Sequence, residues 1–310
     1  MRHLDFVLPD DFNLFHIGDN HLGNSMMYER GYMMALNALD SEWGGLPASR
    51  NVAVHVGDIH EGIYMDDYRF DPGVHDAEKD MYWMVDASEN MHRPYAKKFL
   101  VWMDGNHSNT RKLRPLGNST YEHAKRVGGE FGTYQAVLTF KTVHGTVMFR
   151  NFVGHGWGSI SSKVKPGKRA KANREISLMM KLAAKASNCM LMCMGHTHQL
   201  EVYTPHQELY MRHVGGGKII QGYTNPEKYY GDVDYIPDEL RYYANTGSFL
   251  KLYRPVKYDE DRKHSSGYAE MAGYDPVALG FTVTEVRNGR IQAVRKIVVD
   301  EHQGFIILSN

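Results

Sequence analysis

Five short strings in the sequence carry side chains that can bind transition-metal ions. Each contains Asp, His or Asn, whose oxygen and nitrogen atoms are suitable ligands for first-row metals such as manganese, iron and zinc. The strings are Asp19-Asn20-His21, Gly57-Asp58, Gly105-Asn106-His107, Gly154-His155 and Gly195-His196-Thr197-His198. Together they supply enough donors for two ions, with one histidine left over. The sequence therefore predicts a dinuclear metal centre, provided that the five strings meet in the fold.

In four of the five strings, the polar residues directly follow an apolar run that ends in or near glycine. Such runs are typical of buried strands, and the loop after a strand is the usual place for ligand-binding groups on an open α/β sheet. Taken singly, each string has an ordinary explanation, such as a hydrogen-bonded loop residue, a helix cap or a surface histidine. Their joint occurrence favours the metal centre.

Two residues have more specific expected roles. A carboxylate such as Asp58 has two oxygens and can bridge two ions that lie roughly 3.5–4 Å apart. His107 directly follows Asn106 and is displaced from the metal ligands, and the pKa of a histidine lies near working pH. We therefore expect Asp58 to bridge the ions and His107 to act as a general acid. Glu61 is expected to support the site or the fold around it.

The elements that position these strings can be predicted from the spacing of apolar residues. Strands are expected near 13–17, 51–56 and 99–103, with helices near 25–40 and 76–92 between them. Further expected elements are a helix at 119–128, a hairpin of 134–142 and 146–153, a helix at 169–187 and a strand at 189–194. A β-α-β-α-β beginning of this kind is typical of an α/β protein.

Short strands dominate the chain after residue 199. They are expected near 199–204, 207–213, 217–221, 244–252, 279–286 and 291–298, with Asn288-Gly289 as the last hairpin turn. We predict a single α/β domain over residues 1–310 (α+β by some schemes), with the motifs in 14–198 and second-sheet strands and loops in about 199–300. Its two sheets would pack face to face as a β-sandwich flanked by helices. The long loops 61–76 and 223–240 would line a site.

The composition is that of an ordinary globular protein. Hydrophobic residues make up 42% and charged residues 23% of the 310 residues, and the formal net charge is zero. The whole-chain charge therefore gives no support for a nucleic-acid or membrane-surface partner. Cys189 and Cys193 would lie about 13 Å apart on one strand, too far for a disulfide. We therefore expect both to be buried thiols, which points to a reducing compartment. With no long uncharged apolar run, we also expect a cytoplasmic location and no membrane partner.

A basic segment follows the His155 string. Residues 163–174 contain six Lys or Arg residues and no acid. The segment is either a solvated face or a lip that guides an anionic substrate toward the site, where nearby aromatic rings could stack on bases. The candidate substrate-binding residues are Lys163, Lys165, Lys168, Arg169, Trp157 and Arg111.

The five strings resemble the signature of the calcineurin-like metallophosphoesterase superfamily, which reads D-x-H, G-D, G-N-H, H and G-H-x-H in this order. The strand-rich remainder of the chain, including residues 245–249, is compatible with the family's closing second sheet. The resemblance implies a four-layer α/β/β/α fold. It also implies a first metal held by Asp19, His21, Asp58 and His198, a second held by Asp58, Asn106, His155 and His196, and His107 as the catalytic histidine.

Two departures from the family pattern bear on the substrate. The protein-phosphatase branch has an acidic residue after G-N-H and an arginine two positions later, whereas this chain has Ser108 there and places Arg111 one position late. That branch also carries D-R-G where this chain reads Ile59-His60-Glu61-Gly62. The string Gly-Asp-x-x-Glu instead resembles the nuclease and phosphodiesterase branches.

The resemblance therefore implies a metal-dependent phosphoric ester hydrolase. The favoured activity is a phosphodiesterase acting on nucleic acid or a nucleotide, with hydroxide formed between the two ions as nucleophile and His107 as general acid. A phosphomonoesterase with a small-molecule or phosphoprotein substrate is the alternative, and a non-catalytic binding scaffold is less favoured because no ligand is missing. The mixed donors suit Mn²⁺ first, and also Fe, Zn²⁺, Co²⁺ or Ni²⁺.

Overall fold

The computed structural model describes residues 1–76, 78–108, 117–160, 167–253 and 273–308. These residues form a mixed α/β fold with four α-helices, two large β-sheets and a separate two-stranded ribbon. The predicted α/β class is therefore confirmed. None of the helices in these ranges combines the length and the apolar character needed to cross a bilayer.

The helices are α1 (Glu29–Leu39), α2 (Met81–His92), α3 (Ser119–Val127) and α4 (Gly167–Leu182). The first eight strands are β1 (Arg2–Val7), β2 (Phe12–Ile17), β3 (Asn51–His55), β4 (Phe99–Trp102), β5 (Glu130–Phe131), β6 (Gln135–Lys141), β7 (Val147–Gly154) and β8 (Leu191–Met194). The others are β9 (Leu200–Tyr203), β10 (Leu209–Val214), β11 (Lys218–Tyr223), β12 (Tyr242–Thr246), β13 (Gly280–Arg287), β14 (Arg290–Asp300) and β15 (Gly304–Leu308).

Both large sheets mix parallel and antiparallel pairs. The seven-stranded sheet has the order β15-β14-β13-β2-β3-β4-β5, in which β2 to β5 run parallel and β13 is antiparallel to β2. The six-stranded sheet has the order β1-β6-β7-β8-β12-β9, in which β7, β8 and β12 run parallel. The strands that lead into the five strings are therefore parallel neighbours within their own sheet.

Apolar side chains from both large sheets share one buried cluster. It includes Leu14 of β2 and Val101 of β4 from one sheet, and Leu138 of β6 and Cys193 of β8 from the other. Alternation along each strand sends the intervening side chains to the opposite face. There, Phe15 of β2 belongs to a second buried cluster with residues of α1.

The six-stranded sheet has a helix on its other face as well. Leu178 and Leu182 of α4 pack in a third buried cluster with Phe152 of β7 and Met192 of β8. Both cysteines are buried free thiols, as expected from their spacing. Burial raises the pKa of Cys189 to about 12.

A buried polar pair also links the two sheets. His16 Nε2 of β2 lies 2.9 Å from the Oδ1 atom of Asn151 in β7, and both side chains are fully buried. Burial lowers the pKa of His16 to about 4, so its imidazole is neutral at pH 7. A neutral ring with one amide partner fixes how the two sheets face each other at this point.

The structure corrects the sequence-based elements in a few places. The predicted strand 244–252 ends at Thr246, because Gly247 has a φ of +81° and the chain then turns toward the end of β2. The predicted helices at 25–40 and 76–92 are shorter, beginning at Glu29 and Met81. Strands β1, β5 and β15, at outer edges of the sheets, were not predicted.

The ribbon of β10 and β11 stands apart from both sheets. Its strands pair antiparallel from Leu209 with Tyr223 to Val214 with Lys218, and most of its residues are exposed on both faces. A two-stranded ribbon has no core of its own, so its order comes from the pairing and from the turn at Gly215–Gly217.

Candidate metal centre

The five strings leave the carboxyl ends of five strands. Asp19 and Asp58 follow β2 and β3, Asn106 follows β4, His155 follows β7, and His196 follows β8. Because β2, β3 and β4 are parallel neighbours, their carboxyl ends lie at one edge of their sheet, and the same holds for β7 and β8. The two edges meet, since the backbone N–H of His196 donates to both carboxylate oxygens of Asp19 at 3.0 and 3.1 Å.

The first donor group consists of Asp19, His21 and His198. Their ligand atoms all lie within 4.8 Å of one another. His198 Nε2 is 3.2 Å from His21 Nε2 and 3.5 Å from Asp19 Oδ1. Asp19 and His21 are buried, whereas the His198 side chain keeps 16% of its surface exposed. The group is therefore closed on the core side and reachable from the side of His198.

The second donor group consists of Asp58, His155 and His196, with Asn106 beside them. The three ligand atoms again lie within 4.8 Å of one another. Asn106 Oδ1 is 2.9 Å from His155 Nε2 and 2.8 Å from His196 Nδ1. Asp58 Oδ2 is 3.0 Å from His155 Nε2. The amide oxygen and the carboxylate thus face the same imidazole nitrogen.

Asp58 lies between the two groups. The same Oδ2 atom that contacts His155 is 3.9 Å from His21 Nε2 of the first group. The other carboxylate oxygen, Oδ1, accepts the backbone N–H of His107 at 2.9 Å. A third set of ligand atoms within 4.8 Å is formed by His21, Asp58 and His107. Asp58 is therefore the carboxylate that lies within reach of both groups.

The backbone at these residues is unusual. Seven non-glycine residues of the described chain have positive φ, and five of them are site residues with φ between 48° and 70°: Asp19, His21, Asp58, His196 and His198. Positive φ is unfavourable for residues with a Cβ atom, at a cost of about 1–3 kcal/mol each. Strain of this kind persists where the surrounding contacts impose it, and it is concentrated at functional sites.

Glycines let the strings approach one another. A Cβ atom at position 105 would lie 2.0 Å from Asp58 Oδ1, so a larger residue there would displace the carboxylate. The turn that follows is held by Asp104, which accepts the Gly105 N–H at 3.0 Å and the Asn118 side-chain amide at 2.7 Å. Asn118 in turn caps α3 by accepting the Tyr121 N–H at 2.9 Å.

The hydrogen bonds at the outer ring nitrogens indicate which atoms face the site with a lone pair. His155 Nδ1 donates to the Val56 carbonyl oxygen at 3.0 Å, and His21 Nδ1 donates to Glu61 Oε2 at 2.8 Å. In the neutral rings, both Nε2 atoms are then acceptors, and they face the carboxylate oxygen of Asp58 and, at His155, also the amide oxygen of Asn106. Such an arrangement requires a proton or a cation, so the donor set fits bound metal.

The electrostatics agree with a cation-binding site. Burial alone would lower the pKa of His155, but the charge of Asp58, the hydrogen bond to its carboxylate and the charge of Asp19 together outweigh burial and raise this pKa to about 9. Burial opposes ionisation of Asp58, yet the nearby imidazoles of His155 and His107 hold its pKa well below the usual range. A site that attracts a proton this strongly is one that a divalent ion can occupy in its place.

His107 lies at the edge of both groups. Its Nδ1 donates to the carbonyl oxygen of Glu61 at 2.6 Å. Nε2 is therefore the ring nitrogen that this hydrogen bond does not use. The ring stands edge-on to His21, with centroids 4.6 Å apart. Burial lowers the pKa of His107, although 15% of its side chain remains exposed.

Some supporting residues were not identified from the sequence. The Asp19 carbonyl oxygen accepts Ser248 Oγ–H at 2.8 Å and the Phe249 N–H at 3.1 Å. Glu61, expected only as a general support, accepts both from His21 and from His75. His75 lies 14 residues farther along the chain, and no local spacing signals the pair.

The structure describes the positions of only some of the predicted substrate-binding residues. Lys163, Lys165 and Arg111 lie outside the described residues. Lys168 and Arg169 are exposed in the first turn of α4.

Trp157 packs against the cluster under α4. Lys185 Nζ lies 4.5 Å from the centroid of its ring, and Lys181 Nζ donates to its carbonyl oxygen at 2.9 Å. Two lysines that the sequence did not single out therefore lie against the loop that carries His155.

Neither protein-family models nor curated proteins gave a match to this chain.

Proposed function

We propose that this chain is a phosphoesterase with two metal ions, of the calcineurin-like metallophosphoesterase superfamily, that hydrolyses phosphodiester bonds in nucleic acid or nucleotides. The observation that carries the proposal is the convergence of all five strings on two adjacent donor groups with Asp58 between them. The proposal includes the four-layer fold of that family. The apolar cluster shared by the two sheets, and the helices on their outer faces, support it.

The donors divide between two ions. Asp19, His21 and His198 would hold one ion together with Asp58, and Asn106, His155 and His196 would hold the other, again with Asp58. When bound, the two cations would neutralise phosphoryl oxygens and lower the pKa of a nearby water. Imidazole, carboxylate and amide donors suit Mn²⁺, and also Fe, Zn²⁺, Co²⁺ or Ni²⁺.

The chain's own residues would orient the substrate and move the proton. Because the Nδ1–H of His107 is engaged by the Glu61 carbonyl, Nε2 is the ring atom that would hold a proton for the departing oxygen. Glu61 keeps the His21 ring turned with Nε2 toward Asp58. A phosphoester would enter from the side where the site is partly exposed, which is lined by Asn106, His107 and His198.

The preference for diesters rests on the Gly-Asp-x-x-Glu string, whereas the intact ligand set favours a catalyst over a binding scaffold. The test is hydrolysis by the Mn²⁺-loaded protein of bis-p-nitrophenyl phosphate, p-nitrophenyl phosphate, cyclic nucleotides, and single- and double-stranded DNA. We expect the diesters to be cleaved and the activity to disappear in EDTA. Cleavage of the monoester alone would replace the proposal with a phosphomonoesterase. No activity with any metal, in a protein that binds metal, would favour a binding scaffold.

A further inference from the structure

The two ends of the loop 61–76 are joined by a hydrogen bond to the carboxylate of Glu61. Glu61 stands at its start, and near its end His75 Nε2 lies 2.9 Å from Glu61 Oε1. Both side chains are nearly buried, with 5% and 7% of their surface exposed. The end of the loop is also tied to the segment after the first string, because the Ser25 N–H donates to the Val74 carbonyl oxygen at 2.9 Å.

The hydrogen bonds of His75 identify its donor atom. The Asp71 backbone N–H donates to His75 Nδ1 at 2.9 Å, so Nδ1 is the acceptor and Nε2 carries the hydrogen. The Asp71 carbonyl oxygen, 3.1 Å from Nδ1, already accepts the His75 backbone N–H at 2.8 Å. The ring is further held by Phe70, stacked at a centroid distance of 5.5 Å and an interplanar angle of 27°.

The carboxylate of Glu61 is consequently held at both oxygens. Oε1 accepts from His75, and Oε2 accepts from His21 Nδ1 at 2.8 Å. Loss of the first hydrogen bond would free the carboxylate to rotate, and the imidazole of His21 would lose its fixed orientation. Groups that orient a metal-ligating histidine typically change metal affinity or activity about 10–100-fold when they are removed.

We propose that His75 is a positioning residue for the metal centre, acting through Glu61 on His21, and that its Nε2–H latches the loop 61–76 against the site. The proposal builds on the proposed function only for its metal-binding and activity measurements. It assigns a role to a residue that none of the five strings contains.

Two substitutions separate the hydrogen bond from the packing. His75→Phe keeps an aromatic ring against Phe70 but removes the donor, whereas His75→Gln keeps an amide donor at a similar reach. We expect His75→Phe to bind Mn²⁺ about 10–100-fold more weakly, as measured by calorimetry. Its kcat should decrease, and its KM should change less. His75→Gln should stay close to wild type. The matched control is His144→Phe, at an exposed turn position.

A readout that packing alone would not change is the protonation pattern of His21. Histidine ¹⁵N NMR of the metal-free protein should report hydrogen on Nδ1 of His21 in the wild type and in His75→Gln, and a mixture of tautomers in His75→Phe. If His75→Phe does not fold, His75→Asn, too short to reach Glu61, takes its place. Wild-type Mn²⁺ affinity and an unchanged His21 spectrum in the donor-lacking variant would overturn the proposal, as would equal losses in His75→Gln.

Failure of the latch and failure of the proposed function are distinguishable. A wild-type protein that binds Mn²⁺ but cleaves no ester contradicts the function, while the affinities of the variants still test the latch. A wild-type protein that cleaves diesters, with variants that match it in metal affinity, contradicts the latch alone. If no divalent ion binds, the His21 spectra decide.

Discussion

Asp58 is the residue on which both donor groups depend, because one of its oxygens lies 3.0 Å from His155 Nε2 and 3.9 Å from His21 Nε2. Asp58→Asn replaces this anionic oxygen with a neutral amide of the same size. We expect metal content after dialysis, by elemental analysis, to fall for both ions, with affinities at least about tenfold weaker. Asp86→Asn, which alters an exposed partner of Arg126, serves as the control. Full metal content in Asp58→Asn would contradict the bridging role.

His107 should affect turnover without affecting metal content. It lies beside the donor groups and has its Nδ1–H engaged by Glu61. We expect His107→Ala to retain metal and to lose about 10²–10⁴-fold in kcat on esters with poor leaving groups. The loss should be much smaller on p-nitrophenyl esters, whose leaving group needs little protonation. Equal losses on both kinds of ester would argue against proton donation by His107.

The sequence allowed the donors themselves to be predicted, and the structure brings all seven together with His107. Each donor follows a strand by a few residues, so its string is local and readable. The contacts that orient the donors are not local: Ser248 reaches the Asp19 carbonyl across 229 positions. Contacts such as this one depend on how the sheets pack, which spacing along the chain does not reveal.

Two buried histidines in the core elements have lowered pKa values, which bear on how the stability of the fold depends on pH. The His16 and Asn151 pair joins β2 to β7 across the buried cluster that the two sheets share. A second buried histidine, His92 at the end of α2, has its pKa lowered to about 4 by burial. Both rings are neutral in the folded protein, whereas in the unfolded chain they take up a proton below about pH 6.5.

This difference predicts acid sensitivity. Between pH 6.5 and 4 the unfolded state binds a proton at His16 and the folded state does not, so the free energy of unfolding decreases as pH falls. The expected contribution is about 1.4 kcal/mol per pH unit for each such histidine. His16→Gln, which keeps an amide donor toward Asn151, should reduce that slope in urea unfolding measured from pH 7 to pH 5. An unchanged slope would show that His16 is not buried in its neutral form.

Three of the edge strands, β1, β5 and β15, are the strands that the sequence patterns missed. In β1, only Leu4 is buried, and the exposed residues around it include Asp5 and Val7. Its order comes from parallel pairing with β6, from Arg2 beside Ala136 to Val7 beside Lys141. Central strands such as β2 are buried at every position and are easily predicted. β1 was not predicted because it is held by hydrogen bonds to its partner strand, and these leave no periodic pattern of apolar residues in the sequence.

At the scale of the whole molecule, metal binding and folding should be coupled. Donors from positions 19 to 198 meet at one place, and five of the site residues have strained backbone angles. An ion that binds only the folded state stabilises it by about 2.7 kcal/mol at one hundred times its Kd. We expect Mn²⁺ to raise the Tm by several degrees over the EDTA-treated protein. Ca²⁺, which prefers oxygen ligands, should have less effect.

The same comparison in Asp58→Asn provides the control, since that variant should lose most of the Mn²⁺ shift. A Tm that does not respond to Mn²⁺ in the wild type would indicate that the donors do not bind the ion in the folded state.

The place of β13 in the seven-stranded sheet has a consequence for synthesis of the protein. β2 carries Asp19 and His21 at its end, and one of its two neighbours, β13, is made more than 260 residues later. Once residue 198 has been added, and until β13 is made, the nascent chain has every donor but leaves one side of β2 unpaired. Completion of the sheet therefore waits until after most of translation, and the unfinished chain needs protection from aggregation.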